Sequence, residues 1–232
     1  MDYEERLEAF YKQVPLAGAT VIDVGAHVGR HAIPLARQVG RVGLIHAFEP
    51  IPLIRTRLIS NLEQSAINNV IVYPFALSRE FSQVQFHHIE NLPEESGIKA
   101  RHIYNMPPTT THLIDLCTYR LDDLLPQVLP AFVKIDIEGG ELDMLRGATA
   151  MLQRARPIVS FECGAASFLG YHDTPEDIFH IFRRADFSVY SIVGHHMIDA
   201  KMFREASHAQ AFWDYVAFPA EKAHMAKFLN PA

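Results

Sequence analysis

Two cysteines among 232 residues, Cys117 and Cys163, are too few for a disulfide framework and too far apart for a metal-binding pair. Long apolar runs are missing as well, since none approaches the ~20 residues that a membrane span needs. The first residues, Met1-Asp2-Tyr3-Glu4-Glu5, are acidic and carry neither the apolar leader of a secretory signal nor a transit pattern. Positive charge is also short. A net charge of −6 argues against a nucleic-acid backbone as the main partner. Internal repeats and low-complexity tracts are absent. These absences leave the expectation of a soluble, cytoplasmic chain with no membrane or nucleic-acid partner. What remains is 49% apolar and long enough for one domain, 1–232, with a large core.

The run Val21-Ile22-Asp23-Val24-Gly25-Ala26-His27-Val28-Gly29 is a short β-branched strand that stops at an acid and opens into a glycine turn. A helical pattern follows, with Ile33, Leu35, Ala36 and Val39 on its apolar side. A second strand, Leu44-Ile45-His46-Ala47-Phe48, then stops at Glu49-Pro50. Strand, glycine turn, helix and acid-tipped strand form a nucleotide-binding half-fold, in which the acid accepts ribose hydroxyls. A dinucleotide site would favour G-x-G-x-x-G, which lets a pyrophosphate sit almost on the backbone. Here Ala26 and His27 fill that space, and Asp23 repels phosphate while suiting an ammonium. A ligand with an adenosine, an ammonium and no phosphate is S-adenosylmethionine. A NAD-dependent oxidoreductase is correspondingly disfavoured.

Strands and helices alternate along the rest of the chain. Helical spacing predicts an amphipathic helix over 3–14 (Tyr3, Leu7, Phe10, Tyr11, Val14), the main part of an N-terminal segment of 1–17 packed on the sheet edge. Strands are expected at 20–24, 43–48, 70–75, 132–137, 158–163, 187–191 and 213–218. Helices are expected at 51–66, 140–153 and 175–185, with a short terminal helix after Pro219. This alternation indicates a mostly parallel sheet covered on both faces. Residues 79–116 break the rhythm, being rich in His, Pro, Asn and Glu with few periodic apolar positions. A long insertion in a compact fold is commonly functional, and this one is positioned to act as a lid or substrate flap. Together with the first helix it also offers a face for a possible homodimer.

A second motif is Phe132-Val133-Lys134-Ile135-Asp136-Ile137-Glu138-Gly139-Gly140-Glu141. Lys134, Asp136 and Glu138 alternate through an apolar strand and so share a face. Buried charges persist when paired or functional. Lys134 could neutralise Glu162 on the neighbouring strand, and Glu141 could cap the following helix. Asp136 and Glu138 fall at the carboxyl end of the strand, where open α/β sheets bind ligands.

With V-I-D-V-G-A-H-V-G, H-A-F-E-P and F-V-K-I-D-I-E-G-G-E-L-D-M-L-R-G-A together, residues 20–218 resemble the FkbM-type family of S-adenosylmethionine-dependent methyltransferases. Ala76-Leu77-Ser78 and Thr118-Tyr119-Arg120-Leu121-Asp122-Asp123-Leu124 share the family's look. The resemblance implies a class I methyltransferase fold, a Rossmann-like three-layer sandwich around a seven-stranded, mostly parallel sheet whose last strand is antiparallel. It also implies methyl transfer to a hydroxyl, often on a sugar, polyketide or other secondary metabolite. By the same resemblance, Asp23 and the turn Gly25, Ala26, His27 and Gly29 hold the methionine end. Glu49, followed by Pro50, takes the ribose hydroxyls, and Ala76-Leu77 flank the adenine. Asp136 sits beside the methyl donor and faces the acceptor. His27 is the main departure, because the family usually has Asn there.

In-line methyl transfer draws most of its catalysis from holding the acceptor oxygen close to the methyl carbon, and a base or metal helps an alcohol lose its proton. The candidates for this chemistry are Asp136, Glu138 and His172, with His102, His112, His195 and His196 as weaker ones. A divalent ion on Asp136 and Glu162 is possible but not favoured. The alternatives are a cofactor-binding module without turnover and transfer to another atom type. Absence of an Asn-Pro-Pro-Tyr-like motif after the 132–137 strand argues against amide or base nitrogen.

Overall fold

The computed structural model describes residues 3–89, 96, 110–137, 139–164 and 173–230. The apolar, β-branched runs form the parallel strands β1 (Thr20–Val24), β2 (Leu44–Phe48), β3 (Val70–Tyr73), β7 (Phe132–Ile135) and β8 (Ile158–Glu162). Numbered between them are β4 (Ala76–Leu77), β5 (Ser82–Ile89) and β6 (Thr111–Tyr119); β9 (Phe187–Ser191), β10 (His196–Met197) and β11 (Asp214–Pro219) follow. The main sheet has eight strands in the order β10-β9-β11-β8-β7-β1-β2-β3. β11 runs antiparallel between β8 and β9. Seven strands were expected, and the eighth is the two-residue β10. It arises where Gly194, at φ 87°, turns the chain back so that His196 and Met197 pair with Tyr190 and Val189.

Strand alternation divides the core between the two faces. Ile22, Val24, Val133, Ile135 and Phe161 point to one face, with α5 (Glu141–Arg146), α6 (Thr149–Ala155), α7 (Pro175–Arg184) and α8 (Ala200–His208) around it. Val21, Phe132, Ile158 and Phe218 point to the other, against α1 (Tyr3–Tyr11) and α2 (Ala32–Val39). By the period of two, Asp23 follows Val21 and Lys134 follows Phe132 onto the α1 face. The remaining helices are α3 (Pro52–Gln64), α4 (Leu121–Leu124) and a 3-10 helix over Ala220–Leu229. Among the described residues, no helix is long and apolar enough to cross a membrane.

Four elements differ from the sequence expectation. The third strand ends at Tyr73, because Pro74 has no amide for the ladder, and Ala76–Leu77 instead join a second sheet in the order β4-β6-β5. The ends of the 79–116 segment are a long antiparallel pair, Ser82–Ile89 on Thr111–Tyr119. Its period of two was hidden because His88 and Thr118 take inward positions beside Phe86 and Leu116. β7 stops at Ile135, where the chain turns under the glycine loop of β1. The expected 140–153 helix is broken at Gly147, whose backbone lies so close to Ser78 that a Cβ would fall 2.1 Å from its carbonyl oxygen.

Candidate functional site

The site lies at the carboxyl ends of β1, β2 and β7, beyond the turn that follows Val24. That turn folds on its own hydrogen bonds. The amides of Gly25 and Ala26 both donate to the carbonyl of Phe48 at 3.0 Å, and that of Gly29 donates to Ala26 at 2.8 Å. The His27 amide donates to Glu49 Oε2 at 3.0 Å. A pyrophosphate needs such amides pointing outward, and here they are used within the protein. Gly25 sits at φ 79°, and a Cβ there would lie 1.8 Å from the carbonyl oxygen of Asp136. The loops after β1 and β7 therefore touch through a glycine that no other residue can replace without movement. His27 is left-handed at φ 48°, a conformation that Asn and His tolerate better than most residues. The Asn that the resemblance implies at this position would tolerate the same backbone.

Glu49, at the end of β2, is only 4% exposed. Its Oε2 accepts the His27 amide and its Oε1 the Ile51 amide at 2.8 Å. Burial pushes its pKa up to about 7, against the two amide bonds and the nearby Arg55, which lower it. Arg55 in turn donates to the carbonyls of Glu49 and Pro50 at 3.1 and 2.9 Å, which fixes the bend. An ionised carboxylate has about four lone-pair sites, so two amides leave room for two ligand hydroxyls. Beyond it the wall is apolar, with Phe48, Ile51, Phe75, Leu77 and Phe86. A flat, uncharged base suits such a wall.

On the neighbouring strand β1, Asp23 is fully buried, and neither carboxylate oxygen accepts a hydrogen bond. Its register partner on β7 is Lys134, whose ammonium lies 3.9 Å from Asp23 and 3.0 Å from Asp136. Lys134 is thus committed to the two aspartates, rather than to Glu162 as the strand alternation suggested. Burial pushes the Asp23 carboxyl up, while Lys134 opposes the shift. The Lys134 ammonium is pushed up despite its own burial, because Asp136 and Asp23 stabilise the charge. Asp136 is held by the Lys134 contact with its side chain 31% exposed. Glu141 is buried, and its carboxylate accepts the amides of Gly139 and Ile137 at 3.0 to 3.2 Å. It fixes the loop before its helix and takes no part in the cavity wall.

These features enclose one cavity of about 420 Å³. Of the residues singled out in the sequence, Asp23, Gly25, Ala26, His27, Glu49, Pro50, Ala76, Leu77 and Asp136 line it. Gly29 does not; it closes the turn from behind, against Leu58 and Ile33. Glu138, His172 and His102 lie outside the described residues. His112, His195 and His196 are described and do not line the cavity. Sequence reasoning missed Glu4, Arg30 and His31, which line the cavity beside Asp23. The signal for Glu4 was the spacing of Glu4, Leu7, Glu8 and Tyr11, one face of the first helix, read only for its apolar members. The donor set also bears on the expected cofactor. A buried acid without a hydrogen-bond donor, a carboxylate with room for two hydroxyls, and a turn whose Gly25, Ala26, His27 and Gly29 amides are used within the protein fit a cationic, phosphate-free nucleoside. Among the described residues, no three His, Cys, Asp or Glu side chains converge to hold a metal ion.

Comparison with known proteins agrees with this chemistry. The sequence profile described as methyltransferase FkbM domain matches residues 23–189. The chain is 24% identical over 143 residues to Methyltransferase 1 of Beauveria bassiana, covering 55% of this chain and 57% of that protein. It is 29% identical over 140 residues to the hexuronic acid methyltransferase AglP of Haloferax volcanii, covering 59% and 53%. The chain spans about half the length of these curated relatives. The crystal structure of a methyltransferase FkbM from Methylobacillus flagellatus has the same fold, with a TM-score of 0.53 at 17% identity over 86% of this chain and 43% of that one.

Proposed function

The chain belongs to the methyltransferase FkbM domain family, and we propose from that premise that it transfers a methyl group from S-adenosylmethionine to a hydroxyl of a small molecule, such as a sugar or secondary metabolite. The observation that carries the reading is a cavity lined both by Glu49, held by two amides with room for two hydroxyls, and by the buried Asp23 carboxylate, which accepts no hydrogen bond. When bound, the donor supplies an electrophilic methyl on a positively charged sulfur. Asp23 balances positive charge at the amino-acid end, and Glu49 binds the ribose edge through charge-assisted hydrogen bonds. The apolar wall around Phe48 and Leu77 excludes water from the base. Asp136, turned by Lys134 toward the cavity, accepts the hydrogen bond of the acceptor hydroxyl and takes its proton as the new bond forms. A sugar-type acceptor draws support from AglP, whose name describes methylation of a hexuronic acid.

Incubation with methyl-labelled donor and a panel of sugars, sugar acids and polyketide alcohols tests the reading. Transfer to a hydroxyl is expected, and Asp136→Asn should lower turnover by roughly a hundredfold, the lower end for loss of a proton acceptor. Donor binding without transfer to any acceptor would favour a module that binds and does not turn over. An Asp136→Asn variant with full turnover would remove Asp136 from the chemistry.

A further inference from the structure

The first helix does more than cover the sheet. Glu4, Leu7, Glu8 and Tyr11 recur at helical spacing and share one face. Leu7 and Tyr11 are buried against the sheet, with the Tyr11 ring 6.1 Å from that of Phe132. Phe132 and Val21 are followed two residues on by Lys134 and Asp23, so the helix face that packs on the first pair presents Glu4 near the second. Glu4 lines the cavity beside Asp23. A buried histidine holds it there. His31 is 3% exposed, with Nδ1 3.2 Å from the Tyr11 hydroxyl and Nε2 on Glu4 Oε2. Both ring nitrogens of His31 are engaged, so it serves as a strut that positions Glu4 and not as a base.

We infer that Glu4, together with Asp23, receives the ammonium of the donor's amino-acid end, which makes the first helix part of the donor site. The inference rests on the methyl-donor reading above. Among the described residues, the contacts of Glu4 to His31 and to Arg30, the latter at 3.9 Å, use Oε2, and Oε1 keeps its lone pairs for a ligand. The charges at this end match such a ligand. Asp23, Asp136, Glu4 and Glu8 are four carboxylates against the three cations Lys134, Arg30 and Lys12, leaving one negative charge, which matches the net single positive charge of a ligand with a sulfonium, an ammonium and a carboxylate. Arg30, at the same end, supplies a cation for the ligand's α-carboxylate.

The test is calorimetry on the full chain with three ligands: S-adenosylhomocysteine, its deaminated analogue, and methylthioadenosine, which lacks the amino-acid end. Glu4→Gln keeps an acceptor for His31 and removes the charge. It should weaken S-adenosylhomocysteine by about tenfold, the scale of one lost charge-assisted hydrogen bond. It should change the deaminated analogue and methylthioadenosine by less than about twofold, within the usual additivity of unlinked groups. Glu49→Gln, by contrast, should weaken all three. Equal losses with all three ligands in Glu4→Gln, or no loss with any, would overturn the inference. A wild-type chain that binds none of them would instead sink the donor reading on which it rests.

Discussion

A carboxyl group that is 4% exposed and shared between two backbone amides ionises at a pH set by the balance of burial and those bonds, here about 7. In the role proposed for it, Glu49 would accept two ribose hydroxyls only when ionised, so ligand hydrogen bonds would favour the charged state and lower its pKa. Binding below pH 7 is therefore coupled to loss of a proton. Affinity is fully present above about pH 7 and is lost as pH falls through that value. Between about pH 8 and pH 6, S-adenosylhomocysteine should weaken by roughly tenfold, and titration in buffers of different ionisation enthalpy should show proton release. A dissociation constant unchanged over that window would contradict this role for Glu49. At this scale the sequence was informative where a motif fixed the residue: Asp23, Gly25 and Glu49 sit where strand ends put them. It was uninformative for Lys134, whose partner depended on strand register. Asp23 and Lys134 meet because β1 and β7 are neighbours 111 positions apart in the chain, and local patterning cannot supply that pairing.

Among the elements, the parallel strands were legible because runs such as Val21-Ile22 and Val133-Lys134-Ile135 have no alternative use in so apolar a stretch. The paired strands at the ends of the 79–116 segment were not. Histidine and threonine occupy inward positions there, and an alternation of His88 with Phe86 carries little hydropathy contrast. The single helix expected over 140–153 is two helices, and the break has a steric cause at Gly147. A methyl group there would meet the carbonyl oxygen of Ser78 at 2.1 Å, and a backbone neighbour does not swing away. Gly147→Ala should therefore cost about 2 kcal/mol of unfolding free energy, within the range for overpacking, measured by urea denaturation. It should also disturb Ala76 and Leu77, two residues before Ser78 and on the cavity wall. A variant as stable as wild type would show that this junction yields easily.

At the scale of the whole molecule, the sheet order decides what the two carboxylates can do together. β1 lies between β2 and β7, so Glu49 at the end of β2 and Asp136 beyond β7 flank the turn that begins at Gly25. The cavity spans both, and the first helix closes the end near Asp23. The lining combines the polar groups of Glu49, Asp23 and Asp136 with an apolar wall, a composition that suits a nucleoside joined to an amino acid. The most direct measurement is calorimetric titration of the full chain at about pH 8 with S-adenosylhomocysteine and, separately, with NAD. The account predicts heat from one molecule of S-adenosylhomocysteine per chain and none from NAD; uptake of NAD by a folded chain indifferent to S-adenosylhomocysteine would contradict it.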